Sequence, residues 1–487
     1  MRDYPVLRLM GIVFLILTGG LCPSLIYALV HEPGMVLPFA GTALVGLSFS
    51  VYALKSTEYA RRMRLSVRGG ILFMGSAWFA MSLLCCLPYW TSGRYTLLQA
   101  LFESASALTT TGVSCIPDDV PYPVSLLIWH EIIQWLGSMQ AMVLFSVIMP
   151  RMGATAAAIF SAEGQGVSAE RTLPQIHEIV RLLVMLYVGL TLSQTFCLIL
   201  TGLDPLTSLR MAACTISSSG FIRDANFLEE HNSIAMEAVI AFFMLVTATN
   251  YVLLFRLLIQ GRFSVFRNDS ERKWYTAIVL VTAVAVIANL QWNHVYDSFF
   301  QTVRYGLFQV ISIFSTSGLA STDYTDWPPF VHMLLFYAAV IGGCSASTAG
   351  GIKISRLVVL TKICILEVRR VLHPKMVSSI IMSGQPVAQN TIIGVTRYLF
   401  VYVLLMLILT ALYSLTGTGM IEALSTIVVF LNNVGPAYTV LGETSNFQNL
   451  GSFGYIVLYF AMIVGRIEII SFVILLHPDF WKQRKGW

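Results

Sequence analysis

Apolar runs of about twenty residues follow one another from end to end of the chain, separated by short polar connectors. A bilayer core takes ~20 apolar residues per helix. Ten runs reach or approach that length, near 9–30, 35–54, 70–90, 126–149, 179–201, 233–258, 274–290, 330–349, 393–415 and 452–476. Four shorter apolar segments lie between them: "YTLLQALFESASAL", "DPLTSLRMAACTI", "YDSFFQTVRYGLFQVISIF" and "GMIEALSTIVVFL". Most are too short to cross, so they read as re-entrant helices. Each ends on a polar turn with one glycine: "TTTGV" with Gly112, "SSSGF" with Gly220, "STSGL" with Gly318 and "NNVGP" with Gly435.

The order is the same each time: full span, short segment, polar turn, full span. With glycines spaced 108, 98 and 117 residues apart, this period means four copies of one supersecondary unit. Two extra helices precede them. The expected division is therefore a two-helix segment (1–68) and four units (69–178, 179–272, 273–391 and 392–487). Two full spans per unit return the chain to its starting side, so the copies are parallel and can surround one axis. Inverted-repeat carriers normally need an odd number of spans per copy. Re-entrant backbone at membrane depth must be covered by protein or line a water-filled path. The carbonyl end of each short helix carries partial negative charge. The turn beyond it can aim oxygens at an axis, and four turns make a ring that replaces a cation's hydration shell. The backbone oxygens of Thr110 and Thr111, freed toward the axis by Gly112, are the expected ligands, with the threonine side chains secondary.

Composition agrees with a polytopic all-α membrane protein. The chain is 56% hydrophobic and 11% charged, against roughly 25% charged in soluble domains. Arg94, Arg210, Arg223 and Arg304 aside, and with Arg466 inside a span, every Lys and Arg falls on the side of the N- and C-termini, which the positive-inside rule makes cytoplasmic. Acids favour the other side; Asp118, Asp119, Asp224, Glu229, Glu230, Asp323 and Asp326 all follow soon after a candidate turn. A negative outer face gathers cations into a cleft. The cysteines form no CxxC pair, the histidines no HExxH, and no nucleophile–base grouping appears, so neither an enzyme nor a bound cofactor is expected. "EGQGVSA" (163–169) matches a dinucleotide fingerprint but lacks the strand and βαβ unit that motif requires.

Two features interrupt the spans. "IGGCSASTAGGIK" (341–353) puts four glycines and small hydroxyl residues where a helix would pack leucines. Glycine costs about 1 kcal/mol in a helix interior, so the helix is expected to break and line the path; a tight helix-packing face is the other reading. Arg466 lies near the middle of the last span, where its charge needs a polar interior or a carboxylate partner.

The segments "FESASALTTTGV", "IIQWLGSMQAMVLFSVIMP", "TISSSGF", "FQVISIFSTSGLASTDYTDWP", "IGGCSASTAGGIK", "LNNVGPAY" and "GRIEI" resemble the Trk/Ktr/HKT superfamily of potassium transporters, and the two extra N-terminal spans resemble its bacterial Trk branch. The resemblance implies one chain around one K+ pore, with the filter formed by Thr110, Thr111 and Gly112, by Ser218, Ser219 and Gly220, by Thr316, Ser317 and Gly318, and by Asn433, Val434 and Gly435. Glycine at position 112, where sodium-preferring plant relatives have serine, implies potassium. The resemblance also implies a gate built from Gly342, Gly343, Ser345, Ser347, Thr348, Gly350, Gly351, Lys353 and Arg466, with Arg466 repelling cations until the gate moves. Ala346 and Ala349 stand where glycines are common in the family. A homodimer in the bacterial inner membrane, working with a cytosolic nucleotide-binding regulatory subunit of the TrkA type, is implied as well. The basic loops around Arg262–Lys273 and Lys362–Lys375 are candidate docking surfaces, or attract anionic lipid. A proton- or sodium-coupled secondary symporter, with Glu131 or Glu237 titrating, is the alternative.

Overall fold

Helix α1 (Tyr4–Gly20) continues through Leu21 into α2 (Cys22–His31), which turns at Glu32 into α3 (Pro33–Ser56). The Glu32 carboxylate reaches the start of α7 (Val124–Val147), accepting the N–H groups of Val124 (2.8 Å) and Ser125 (3.2 Å) and the Ser125 hydroxyl (2.5 Å). One acid thus supplies the missing acceptor at a helix start and pins the two-helix segment to the first repeat. The structure is a computed structural model describing residues 4–59, 66–116, 122–147, 173–221, 227–373, 379–383, 385–434, 447, 450–467 and 469–482.

The first repeat comprises α4 (Val67–Cys85), α5 (Leu87–Thr91), the short α6 (Leu97–Leu108) and α7. The second comprises α8 (Leu173–Leu200), the short α9 (Pro205–Ser217), α10 (Phe227–His231), α11 (Ile234–Thr247) and α12 (Tyr251–Leu258). After α13 (Phe263–Asn268), the third holds α14 (Ser270–Trp292), the short α15 (Phe299–Phe314), α16 (Pro329–Ile341) and α17 (Ile354–Leu372). The fourth holds α18 (Gln389–Ser414), the short α19 (Met420–Asn432), α20 (Ser452–Arg466), α21 (Ile469–Leu476) and α22 (Pro478–Trp481). A hairpin unforeseen in the sequence, β1 (Ile381–Met382) against β2 (Gln385–Pro386), pairs Ile381 with Pro386 and Met382 with Gln385. Ser383 at its turn exchanges hydrogen bonds with Ser270 at the start of α14.

The short helices have 12, 13, 16 and 13 residues, about 18–24 Å at 1.5 Å per residue, less than a bilayer core. Their starts are set by local chemistry. Thr96 and Gln99 form a capping box on α6, Asp204 accepts the Thr207 N–H on α9, and Ser298 accepts the Phe300 N–H on α15. Where they meet, Phe102, Phe430, Phe447 and Tyr455 form an aromatic cluster joining the first and fourth repeats. Large apolar side chains cover the outside instead, among them Leu37 (81% exposed), Val281 (70%) and Phe400 (70%). That is the surface of a protein solvated by lipid.

Among the described residues, six helices are long and apolar enough to cross a membrane, and eight if two bent pairs each count as one span. The expected runs 126–149 and 330–349 correspond to α7 and to α16 with the loop that follows it. The sequence pattern predicts one broken second span; among the described residues the structure breaks three. The runs read as unbroken at 233–258 and 452–476 divide at Ala248–Asn250, where the helices turn by 106°, and after Arg466. Asn250 makes the first break sharp: its side chain caps α12 by accepting the N–H groups of Val252 (2.9 Å) and Leu253 (3.3 Å).

Candidate functional site

The four short helices end in one backbone conformation. Thr110, Ser218, Thr316 and Asn433 all have left-handed φ, at 59°, 57°, 55° and 50°. Two residues on, Gly112, Gly220 and Gly318 have φ of 70°, 67° and 70°; Gly435 lies outside the described residues. The backbone bonding repeats too. The N–H groups of Thr110, Ser218, Thr316 and Asn433 donate three residues back, and those of Thr111, Ser219, Ser317 and Val434 donate five residues back. A non-glycine residue held at positive φ costs of order 1 kcal/mol or more, and four in register mark a built feature.

These turns direct their N–H groups back into the helix ends and leave their carbonyls over. The carbonyls of 110–112, 218–220, 316–318 and 433–434 accept no hydrogen bond from any described residue, although the turns are buried to 2% exposure or less where a value is given. Buried carbonyls are otherwise almost always satisfied. Gly112 also admits its neighbour: a Cβ there would lie 1.8 Å from the Ser219 carbonyl oxygen.

Side chains brace the turns sideways. Asn433 Nδ2 donates to Thr111 Oγ1 (2.9 Å) and to the Met462 carbonyl (3.1 Å). Thr109 and Thr111 hydroxyls meet at 2.9 Å, and Ser219 donates to Gln134 Oε1 on α7 (2.7 Å). In the first and third repeats a serine six residues before the glycine ties the departing strand to the helix: Ser106 donates to the Val113 carbonyl (2.5 Å) and Ser312 to that of Leu319 (2.6 Å). Cys214 and Val429 occupy those places in the other two. Thr111 and Ser219 hydroxyls are therefore committed laterally, and the carbonyls, with Thr110 Oγ1, Ser317 Oγ and Asn433 Oδ1, are the turn oxygens without a partner among the described residues.

The glycine-rich loop between α16 and α17 lies against the turns. Ile352 and Lys353 N–H groups return to Val340 and Ile341 carbonyls (both 3.0 Å), closing the loop on itself. Cys344 N–H donates to the Ala248 carbonyl (2.8 Å) and Tyr251 N–H to that of Ala346 (3.1 Å), so the loop satisfies the break between α11 and α12. Ala346, at φ 52°, adopts the left-handed backbone a glycine would take without strain. Ser345 N–H donates to Glu271 (2.6 Å) and its hydroxyl meets that of Ser355 (2.5 Å); Ser347 donates to the Cys344 carbonyl (2.5 Å), and Lys353 Nζ to that of Ala349. Thr348 contacts the second turn, its hydroxyl 2.9 Å from that of Ser218. Gly350 N–H donates to Thr316 Oγ1 of the third turn (2.8 Å), and a Cβ on Gly350 would lie 1.8 Å from the Asn432 carbonyl oxygen in the fourth. Arg466 Nη1 donates to the Thr348 carbonyl (3.2 Å). Arg466 is 6% exposed, and among the described residues no carboxylate pairs with it. Its Nε and Nη2, Thr110 Oγ1 and Asn433 Oδ1 are buried without a protein partner among the described residues.

The structure thus brings Gly342, Gly343, Ser345, Ser347, Thr348, Gly350, Gly351, Lys353 and Arg466 into one assembly beside the turns. Glu131 and Glu237 stand apart, each held by an arginine of the next repeat's short helix. Arg210 Nε is 2.7 Å from Glu131, and Arg304 makes bonds of 2.8 and 2.6 Å to Glu237. Glu468, Asp118, Asp119, Asp224 and the 163–169 loop lie outside the described residues. Sequence reasoning missed Gly137 and Gly465. A Cβ on either would lie 2.0 Å from a carbonyl at the end of a short helix, Leu108 or Leu431, each four residues before its glycine. A lone glycine in a long span was the available signal.

A TrkH cation transport protein family model matches residues 42–483, most of the chain and all four repeats. The chain belongs to that family. Similar family members include the Trk system potassium uptake proteins TrkH of Halomonas elongata (29% identical, covering 98% of this chain and 99% of that one) and of Escherichia coli (28%, with the same coverage). The crystal structure of the potassium transporter TrkH from Vibrio parahaemolyticus superposes with a TM-score of 0.87 at 28% identity, over 99% of this chain and 100% of that one. The family assignment and this likeness over full length agree with an all-helical membrane protein of four repeats plus two N-terminal helices.

Proposed function

We propose that this protein takes up potassium across the bacterial inner membrane through a gated, channel-like pore. The observation that carries the reading is the fourfold set of buried turns whose carbonyls no described protein group satisfies. Oxygens in that arrangement suit a dehydrated monovalent cation. The names of the similar Trk proteins supply potassium as that cation. Filter ligands come from 110–112, 218–220, 316–318 and 433–435; one chain surrounds one pore, divided at 1–68, 69–178, 179–272, 273–391 and 392–487. The loop with Gly342, Gly343, Ser345, Ser347, Thr348, Gly350, Gly351 and Lys353 is the gate, and Arg466 places positive charge in its path. The protein works as a homodimer with both termini cytoplasmic, alongside a cytosolic nucleotide-binding regulatory subunit of the TrkA type, and performs no enzymatic reaction.

Glu131 and Glu237, the candidate coupling acids, are engaged in ion pairs that join neighbouring repeats, Arg210 to Glu131 and Arg304 to Glu237, a structural role that supports a channel over a proton-coupled carrier. Reconstitution into liposomes tests the reading. Rapid K+ flux down an imposed K+ gradient, unchanged when pH is clamped and Na+ is absent, is expected. Flux that requires a proton or sodium gradient would instead establish the symporter.

A further inference from the structure

One acid sits buried behind a turn. Glu103 on α6 is fully buried, nine residues before Gly112. The corresponding residues of the other repeats are Met211, Gln309 and Thr426, none of them acidic. Its Oε1 accepts two hydrogen bonds from the strand leaving the first turn, from the Ser114 hydroxyl (2.6 Å) and the Cys115 N–H (2.7 Å). Its Oε2 lies 3.6 Å from Nδ1 of His130 on α7, also fully buried. The His130 ring stacks on Phe221, with centroids 3.8 Å apart and planes at 23°. Phe221 directly follows Gly220 of the second turn. The carboxylate therefore holds the strand leaving the first turn directly, and lies at more than hydrogen-bond distance from the ring that packs on Phe221 after the second turn. Gly112 and Ser219 meet at van der Waals limits between those same turns, so a small displacement of one strand changes the spacing of the carbonyls.

We propose that Glu103 is a positioning residue for ion selection: its carboxylate fixes the strand leaving the first turn through the Ser114 hydroxyl and the Cys115 N–H. The proposal rests on the reading of the turns as the filter. Glu103 does not touch the ion; it holds the backbone that does. Hydrogen bonds to a carboxylate are roughly twice as strong as neutral ones, so the near-isosteric Glu103→Gln keeps the shape and loosens the hold.

The test is the ratio of K+ to Na+ flux in proteoliposomes for the wild type, Glu103→Gln, Ser114→Ala and Gly112→Ser. Glu103→Gln, which weakens both bonds, is expected to lower the ratio about fivefold, and Ser114→Ala, which removes one of them, about twofold. A wild-type ratio in Glu103→Gln, or in Ser114→Ala should Glu103→Gln fail to purify as a monodisperse protein, overturns the proposal when Gly112→Ser lowers the ratio. Reduced total flux at an unchanged ratio belongs to a merely structural role and overturns it equally. A wild-type ratio in Gly112→Ser as well would show that the turns are not the filter, a separable failure.

Discussion

The turns and the second spans around them follow opposite rules. The turns are nearly fourfold: the same left-handed residue, the same two backbone bonds and, where described, the same glycine conformation. The second spans are not. α7 is continuous, α11–α12 and α20–α21 break at single short points, and the third repeat opens into a twelve-residue loop between Ile341 and Ile354 that touches three of the four turns. A ring of oxygens around a spherical ion gains from symmetry. In the proposed function a gate gains from one element able to move against the rest, and a closed loop of small residues held by a few hydrogen bonds would supply it.

Gly112→Ser should have the largest effect on the symmetric turns. The added Cβ meets the Ser219 carbonyl at 1.8 Å, so the ring distorts and the K+ to Na+ flux ratio should fall at least about tenfold, equivalent to ~1.4 kcal/mol. Next comes Arg466→Ala, which removes a buried charge and the bond to the Thr348 carbonyl. Basal flux through the purified protein should rise roughly tenfold, the result of losing a barrier of about 1.4 kcal/mol. Unchanged flux at normal expression would remove Arg466 from the gate. Thr348→Val removes one neutral hydroxyl contact with Ser218, worth ~1 kcal/mol, and basal flux should rise about fivefold with selectivity intact. A changed selectivity there would mean that loop and turns act as one unit.

Glu237→Gln probes the scaffold. Breaking a buried, doubly bonded ion pair costs about 3–5 kcal/mol, so thermal stability in detergent should fall while the pH dependence of flux stays as in the wild type. A shifted pH profile would favour the coupled carrier. The smallest effect belongs to the outer loop. Thr325 donates its hydroxyl and N–H to the Asp323 carboxylate, which holds its pKa below the usual aspartate range. The folded state binds its proton less readily than the unfolded chain. Its contribution is therefore present above the ordinary aspartate pKa and is lost only as pH falls through the depressed value. Asp323→Asn should reduce flux at low ionic strength by less than about twofold at neutral pH, and the difference should vanish in high salt.

Much of this architecture was legible because it rests on local rules. Span lengths follow from apolar runs, and the repeat shows in four glycines with matching neighbours. The glycine cluster at 342–351 announces its own broken helix. The other two breaks carry no such density. At Ala248–Asn250 the helix ends because Asn250 caps α12 and because Cys344 and Tyr251 pair across the break with Ala248 and Ala346, a partnership made only in three dimensions. Gly137 and Gly465 showed only as lone glycines in long spans, for the same reason: each matters through a carbonyl about thirty residues away in the chain. Glu103 had a signal, an acid inside an apolar segment, but its ligands Ser114 and Cys115 lie beyond the turn.

The central claim, that carbonyls of the four turns bind the transported ion, is tested most directly by anomalous diffraction from crystals of the protein soaked in rubidium or thallium salts, heavy stand-ins for K+. A peak is expected on the axis enclosed by the backbone oxygens of 110–112, 218–220, 316–318 and 433–435, abolished in Gly112→Ser. A peak at Glu131 or Glu237, with the turns empty, would contradict it.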